Sequence, residues 1–354
     1  MLNFYSLPLT DLKEKLSLLG RKPFFATQLY NWIYKNKVED IDQWTNVSKD
    51  NKNFLKENFT FELPKILWNG LSKDGTRKFL VGFSDKQTTE CVIIPAKNNR
   101  QTLCISSQIG CAIGCKFCHT GTMGFKRNLL VNEITGQFMA LTFWMIKNAD
   151  PEFSFSNIVF MGQGEPLQNM SNVKKSIEIF MTDIGLGLGQ RRITLSTSGL
   201  VPQIKKLMDF PPINIAISLH AAHDEVRSEL MPINQVYDLK RLFEAIAEIP
   251  LKAYRRITYE YILIKDFNDG IRDINGLCDL LTSKDSKINL IPFNEYPESG
   301  FKRPSQKTIN WFRDELTTRG YVCTVRQTKG DDILAACGQL KSLGDELNLW
   351  EEKK

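Results

Sequence analysis

Two hydrophobic periodicities divide the chain near residue 100. Up to about residue 70 the apolar positions recur at helical spacing. Over residues 11–19, Leu12, Leu16 and Leu19 share one face and Gly20 ends the run. Residues 23–35 open on Pro23, which suits a helix N-terminus, and carry Phe25, Leu29, Trp32 and Ile33. A third helix is predicted over 48–58. Residues 78–83 and 90–95 then alternate like two strands joined by a polar turn. From about residue 100, strands and helices alternate. Strands are predicted at 101–106, 157–161, 192–197, 213–219, 257–264 and 287–292. Helices follow at 132–147, 172–182, 201–208, 239–249, 271–282 and 305–319. Six β/α units imply a parallel sheet wrapped by helices, either an open doubly wound sheet or a partial barrel. In both, ligands sit at the C-terminal ends of the strands.

Composition narrows the class. A chain of 354 residues with 42% hydrophobic content can bury one large core and an appendage. The start, MLNFYSLPLTDLKEK, has no basic stretch leading into a long apolar run, so no signal peptide is expected. The longest apolar run, 138–146, is too short to span a bilayer. Eight Cys without a secretory signal fit a reducing cytoplasm, where thiols serve metal or catalysis.

The net charge of +6 is mild, but residues 71–131 hold nine Lys or Arg against three acids. The excess therefore surrounds the cysteines described next, where a polyanion such as RNA would approach; a merely solvated basic surface gives the same count. The segment RKPFFATQLYNWIYKNK interleaves basic and aromatic residues, which suits RNA, although such aromatics more often form core.

Cys111, Cys115 and Cys118 are spaced Cys-x3-Cys-x2-Cys. Three thiols so close suit a soft metal centre. A cubane iron–sulfur cluster wants four outer ligands, so three Cys leave one iron open. The amino and carboxylate groups of S-adenosylmethionine (SAM) can fill it, and one electron passed to the sulfonium then yields a 5′-deoxyadenosyl radical. A zinc knot is the alternative, with His119 as a possible fourth ligand, although the spacing is not that of a zinc ribbon and no second Cys pair lies nearby.

Other predicted strand ends are polar or Gly-rich: Gly162-Gln163-Gly164-Glu165-Pro166, Ser196-Thr197-Ser198-Gly199, Ser218-Leu219-His220, and Asn294. The first lacks the third Gly of a dinucleotide fingerprint. Its small residues would let backbone carbonyls approach the SAM ammonium, and Glu165 would supply charge. In the tail, Cys337 sits among small residues in AACGQ, while a lone Cys is ordinarily a small buried hydrophobe.

These segments together resemble the radical-SAM methyltransferases of the RlmN type, which methylate C2 of adenine in 23S rRNA; their C8-methylating cousins form the Cfr type. The resemblance runs through CISSQ at 104–108, the three cluster Cys, GTMGFKRN at 121–128, MGQGEPL at 161–167, RRITLSTSG at 191–199, Ser218-Leu219-His220, MPIN at 231–234 and AACGQ at 335–339. Pro166 and Ser198 look like the C2 type. The family implies an α/β partial (β/α)6 TIM-like barrel with a small, mostly helical N-terminal accessory domain. The expected divisions are an RNA-binding accessory domain at 1–95, a radical-SAM core at 96–330 and a C-terminal segment at 331–354. The implied cofactors are a [4Fe-4S] cluster on Cys111, Cys115 and Cys118 and two SAM per turnover. Gly164, Glu165, Ser196, Ser218, Leu219, His220 and Asn294 are expected at SAM. The resemblance makes Cys337 the methyl carrier and Cys104 the residue that resolves the protein–RNA adduct, leaving a transient Cys104–Cys337 disulfide. Glu90 matches the proposed proton acceptor. Implied partners are 23S rRNA at the peptidyl-transferase centre, adenosine 37 of some tRNAs, and a one-electron donor such as flavodoxin. A small-molecule radical-SAM enzyme and a non-catalytic metal-containing RNA-binding module are the rival readings.

Overall fold

The computed structural model describes residues 1–249, 255–296 and 299–341. Its centre is a ten-stranded sheet whose strands lie side by side in chain order. These are β1 (Lys65–Leu71), β2 (Arg77–Gly82), β3 (Thr88–Ala96), β4 (Arg100–Cys104), β5 (Asn157–Phe160), β6 (Ile193–Thr197), β7 (Asn214–Ser218), β8 (Ile257–Leu263), β9 (Ser286–Pro292) and β10 (Val322–Val325). From β4 to β10 every neighbouring pair is parallel. From β1 to β4 the pairing is antiparallel.

The six expected β/α units are present, and β10 adds a seventh parallel strand beyond them. Side chains alternate along each strand; on β6, Ile193, Leu195 and Thr197 are buried and the residues between them half-buried. Two of the outer helices begin where a short polar side chain accepts an otherwise unpaired backbone N–H. Asp238 caps Leu239–Ala247 and Ser305 caps Gln306–Thr318 in this way, an arrangement worth about 1 kcal/mol each.

The long apolar run at 138–146 belongs to helix Val131–Asn148, which is buried through most of its length. Pro64 packs so closely against Gly136 that a Cβ there would stand 2.5 Å from the proline ring. Among the described residues no helix is long and apolar enough to cross a membrane.

The N-terminal helices, Leu9–Leu18, Phe24–Tyr30 and Lys49–Asn58, add an aromatic-rich region to the hydrophobic core that they share with the barrel. Phe4, Tyr5, Tyr30 and Tyr34 are buried against one another, and Tyr30 Oη donates to the Leu7 carbonyl at 2.5 Å. Most of the aromatics in RKPFFATQLYNWIYKNK are thus core, and Phe24 alone among them is largely exposed. The segment predicted as one helix over 23–35 changes pitch, with a π-helical turn at Asn31–Lys35. Strands β1 to β3, on the N-terminal side of residue 96, extend the same sheet that carries the barrel strands. Of the expected C-terminal segment 331–354, residues 342–354 lie outside the described residues.

A candidate radical-SAM active site at the strand C-terminal ends

The three clustered cysteines lie on a loop closed by a short antiparallel hairpin, Gln108–Gly110 with Phe125–Asn128. Gly110 has φ +71°, and a Cβ there would stand 1.8 Å from the Gly124 carbonyl oxygen, so the hairpin closes only with glycine. The loop turns Cys111, Cys115 and Cys118 into one cavity of about 160 Å³ at the C-terminal ends of the strands. Gly164, Glu165, Ser196, Ser218, His220 and Cys337 line the same cavity.

Burial pushes the Cys111 thiol up to about 12 and holds Cys115 and Cys118 above the usual thiol range. Such thiols surrender their protons to a metal rather than to solvent. The thiolates of an iron–sulfur cube reach separate irons, and three thiols lining one cavity beside Gly164, Ser196, Ser218 and His220 fit such a cluster, with one corner left for a small-molecule ligand.

Each strand end has its own local logic. Gly164 has φ +97°, and a Cβ would meet Gln108 Cβ at 2.4 Å, so glycine lets the loop after β5 press against the hairpin. The Glu165 carboxylate is buried, and both its oxygens are already held. Oε1 accepts from Leu167 N at 3.0 Å, and Oε2 accepts from Ser198 N and Ser198 Oγ, each at 2.7 Å. Burial raises its pKa, opposed by those bonds. Ser196 Oγ and Ser218 Oγ lie 3.5 Å apart across β6 and β7.

His220 adopts the left-handed region at φ +61°. Its Nδ1 accepts from Ile262 N at 3.0 Å, and its ring packs edge-on to Phe117 at 4.6 Å. Burial, aided by Arg227, pulls the imidazole down to about 3. The ring is neutral, with its proton on Nε2.

Two expected residues stand elsewhere. Leu219 is fully buried and does not line the cluster cavity; its N–H donates to the Glu260 carbonyl at 3.0 Å and its carbonyl accepts from Arg227 Nε at 3.0 Å. Asn294 faces the tail instead, with Nδ2 donating to the Cys337 carbonyl at 3.1 Å and Oδ1 accepting from Thr328 Oγ1 at 2.9 Å. It lines a second cavity of about 70 Å³, shared by Cys104, Cys118 and Cys337. Cys104 and Cys337 thus share one recess, and Cys337 also opens onto the cluster cavity. All eight cysteines carry free thiols. Burial pushes the Cys104 thiol up to about 12, Cys337 adds to the shift, and Arg326 opposes it.

Glu90, on β3, lines neither cavity. Its Oε1 pairs with Lys78 Nζ at 3.1 Å, and its Oε2 accepts from Lys341 N at 3.0 Å. Lys78 Nζ also donates to the Leu334 carbonyl at 3.2 Å. Glu90 and Lys78 therefore grip both ends of the segment carrying Cys337. Burial pushes the Glu90 carboxyl up to about 7, with Lys78 opposing. The cluster loop holds the tail from the other side. His119 N donates to the Gly338 carbonyl at 2.6 Å, and Thr120 Oγ1 to the Leu340 carbonyl at 2.6 Å.

Two arginines, Arg227 buried and Arg326 half-buried, escaped the sequence reading. The Arg227 guanidinium donates to the carbonyls of Leu219, Ser198 and Ser218 and to Asn234 Oδ1, tying together the turns after β6 and β7. Burial pulls it down to about 10, so it stays charged at neutral pH. Arg326 follows β10 and lines both cavities, between Cys104, Cys337 and Glu260. Nothing local in the sequence marks either arginine as part of the site. The basic belt is also smaller than its count. Lys78 pairs with Glu90, and Arg127 with Asp85 and Glu133. Lys73, Lys86, Lys97, Arg100, Lys116 and Lys126 remain at the surface.

A three-cysteine loop over the C-terminal mouth of a partial β/α barrel defines a radical-SAM enzyme. Residues 105–278 match the Radical SAM superfamily, and residues 2–61 match the Ribosomal RNA large subunit methyltransferase N-terminal domain. The chain is 42% identical to the Dual-specificity RNA methyltransferase RlmN of a Nitratiruptor species, over 93% of this chain and 96% of that protein. It is 42% identical to the protein of the same description from Francisella tularensis subsp. novicida, over 95% of this chain and 91% of that protein. A crystal structure of a radical SAM methyltransferase from Sphaerobacter thermophilus superposes with a TM-score of 0.88 at 37% identity, covering 97% of this chain and 100% of that one. The chain belongs to the RlmN family of radical-SAM RNA methyltransferases. It is a SAM-dependent enzyme that uses a [4Fe-4S] cluster.

Proposed function

We propose that this enzyme methylates C2 of an adenosine in the peptidyl-transferase centre of 23S rRNA, and adenosine 37 of some tRNAs, through a methyl group carried on Cys337. The observation that carries the reading is the position of Cys337, which faces Cys111, Cys115 and Cys118 in one cavity and Cys104 in the other. A carrier must meet a methyl donor on one side and the partner that releases it on the other. The relatives' description as dual-specificity RNA methyltransferases fits an enzyme with two kinds of RNA substrate. The cluster and SAM, when bound, supply one-electron cleavage of the sulfonium and with it a hydrogen-abstracting radical.

On this reading Cys111, Cys115 and Cys118 hold the cluster. Gly164, Ser196, Ser218 and His220 line the SAM pocket, His220 offering its Nε2–H. Glu165 and Leu219 act through backbone turns, Glu165 by bracing the Ser198 turn. Asn294 positions the tail. Residues 1–95 contribute RNA contacts, 96–330 the catalytic core and 331–341 the carrier segment. The exposed Lys and Arg between 73 and 126 meet RNA phosphates, so binding weakens as salt rises. A one-electron donor such as flavodoxin serves the cluster in the cytoplasm.

Mass spectrometry of 23S rRNA and tRNA tests this. A strain lacking the gene should lose 2-methyladenosine from both, and the purified, anaerobically reconstituted enzyme should restore it. Restoration of 8-methyladenosine instead would overturn the C2 assignment in favour of the Cfr-type product.

Glu90 carries a second expectation. A carboxyl with pKa near 7 is a useful proton acceptor near neutral pH. It is protonated and inert below about 7 and competent above, so methylation should rise with pH through that value. To serve, it must be released by Lys341 as the tail lifts. Glu90→Gln should slow methylation about 10²–10⁴-fold and remove the acid limb, while SAM cleavage persists. Full methylation with an unchanged pH profile would take Glu90 out of the mechanism.

A further inference from the structure

The inner face of the barrel continues below the active site and turns polar towards the N-terminal ends of the strands. On β6, Ser196 lines the active-site cavity and Thr194 lies two residues earlier on the same face. On the same face but four residues apart, β7 carries Ser218 and Asn214, β8 carries Ile262 and Thr258, and β9 carries Ile291 and Lys287. Register brings the lower members together, Thr194 opposite Asn214 and Thr258 opposite Lys287. Midway, Asn289 Nδ2 donates to Glu260 Oε2 at 2.7 Å.

At the N-terminal ends of the strands this face opens into a separate cavity of about 510 Å³. Four cations line it: Arg191, Arg255, Arg256 and Lys287. Among the described residues no Asp or Glu does. None of the four makes an ion pair among the described residues. The recess is organised nonetheless. Arg255 donates to Asn214 Oδ1 at 2.7 Å, Gln190 Oε1 at 3.0 Å and the Pro212 carbonyl at 3.2 Å. Asn214 Nδ2 donates in turn to the Arg191 carbonyl at 3.0 Å. Arg256 uses Nε on the Lys284 carbonyl at 3.0 Å, which fixes its plane and leaves its terminal amino groups without a protein partner among the described residues.

We propose that this lower mouth is a phosphate-binding site, separate from the active site. Four like charges in one recess repel, and an anion between them removes that repulsion. Guanidinium forks match phosphate oxygens bidentately. Thr194 and Thr258 add hydroxyl donors. The cavity has room for more than one phosphate group. The occupant is a backbone segment of the RNA substrate or a free phosphorylated molecule.

Calorimetry on the full chain with magnesium-free pyrophosphate at low salt tests the site. The wild type should bind, and the double variant Arg256→Gln/Lys287→Gln should bind at least tenfold more weakly. The control Lys240→Gln/Lys307→Gln, which removes the same charge elsewhere, should bind like the wild type. Arg191→Gln, an exposed substitution, gives the same reading should the double variant fail to fold. No binding by the wild type at millimolar pyrophosphate, or equal loss in test and control, overturns the proposal. A second arm, resting on the RNA-methyltransferase reading, measures affinity for a substrate RNA. If RNA occupies the site, pyrophosphate competes and the double variant lowers the slope of log affinity against log salt by about 1.4. If RNA binding is untouched while pyrophosphate binding is lost, the occupant is a free phosphorylated molecule. Both outcomes support the site.

Discussion

Cys337→Ala is expected to abolish RNA methylation, by at least about 10³-fold, while reductive SAM cleavage continues. The separation follows from how the tail is held. Among the described residues, the hydrogen bonds that fix it run through backbone or through side chains other than Cys337 Sγ. Gln339 accepts from Ala336 N at 3.0 Å and donates to the Glu295 carbonyl and Asp331 Oδ1, each at 2.8 Å. His119 N, Thr120 Oγ1 and Asn294 Nδ2 hold the carbonyls of Gly338, Leu340 and Cys337. Alanine at 337 disturbs none of these, and Cys111, Cys115 and Cys118 keep their loop. What disappears is the tail sulfur, which faces both the cluster cavity and Cys104 and is not itself one of the three cluster cysteines. Adenine C2 is electron-poor and does not attack a sulfonium methyl, so no direct route replaces the carrier. The assay pairs SAM cleavage with mass spectrometry of the RNA. Methylated RNA from the alanine variant would end the carrier assignment.

What the sequence reveals depends on how local each interaction is. The cluster ligands lie within eight residues of one another, so their spacing alone suggests an iron–sulfur site. The barrel strands announce themselves because their buried faces alternate with period two. Strand β1 does not: its residues are half-buried or exposed, Trp68 points outward, and its register shifts between Ile66 and Trp68. Strand β10 is four residues long and half exposed. Glu165 and Arg227 show the other limit. A glutamate in a Gly-rich turn reads as a charge offered to a ligand, yet Leu167 and Ser198 already occupy both its oxygens. Arg227 reads as an ordinary helix residue, because the carbonyls it gathers come from turns after two separate strands. Tertiary satisfaction of buried polar groups leaves no periodic trace in the chain.

Cys104→Ala is expected to accumulate a covalent protein–RNA adduct that runs as a shifted band on denaturing gels. Cys104 ends β4, buried, and faces Cys337 across the smaller cavity. In the proposed resolution its sulfur attacks that of Cys337. The S–S bond forms as the bond from Cys337 to the transferred carbon breaks, and that carbon keeps the electron pair and gains a proton. The attacking species must be a thiolate. Burial pushes the Cys104 thiol up to about 12, so the proton has to leave as the bond forms; the half-buried Arg326 guanidinium beside both sulfurs opposes that rise. Alanine removes the attacker but not the carrier, so the first half of the cycle proceeds and the second stalls. The adduct should be absent from Cys104→Ala/Cys337→Ala, which has nothing to attach. Free, fully methylated RNA and no shifted band from Cys104→Ala would mean that the adduct resolves without this residue, and the two-cysteine cycle would have to be replaced.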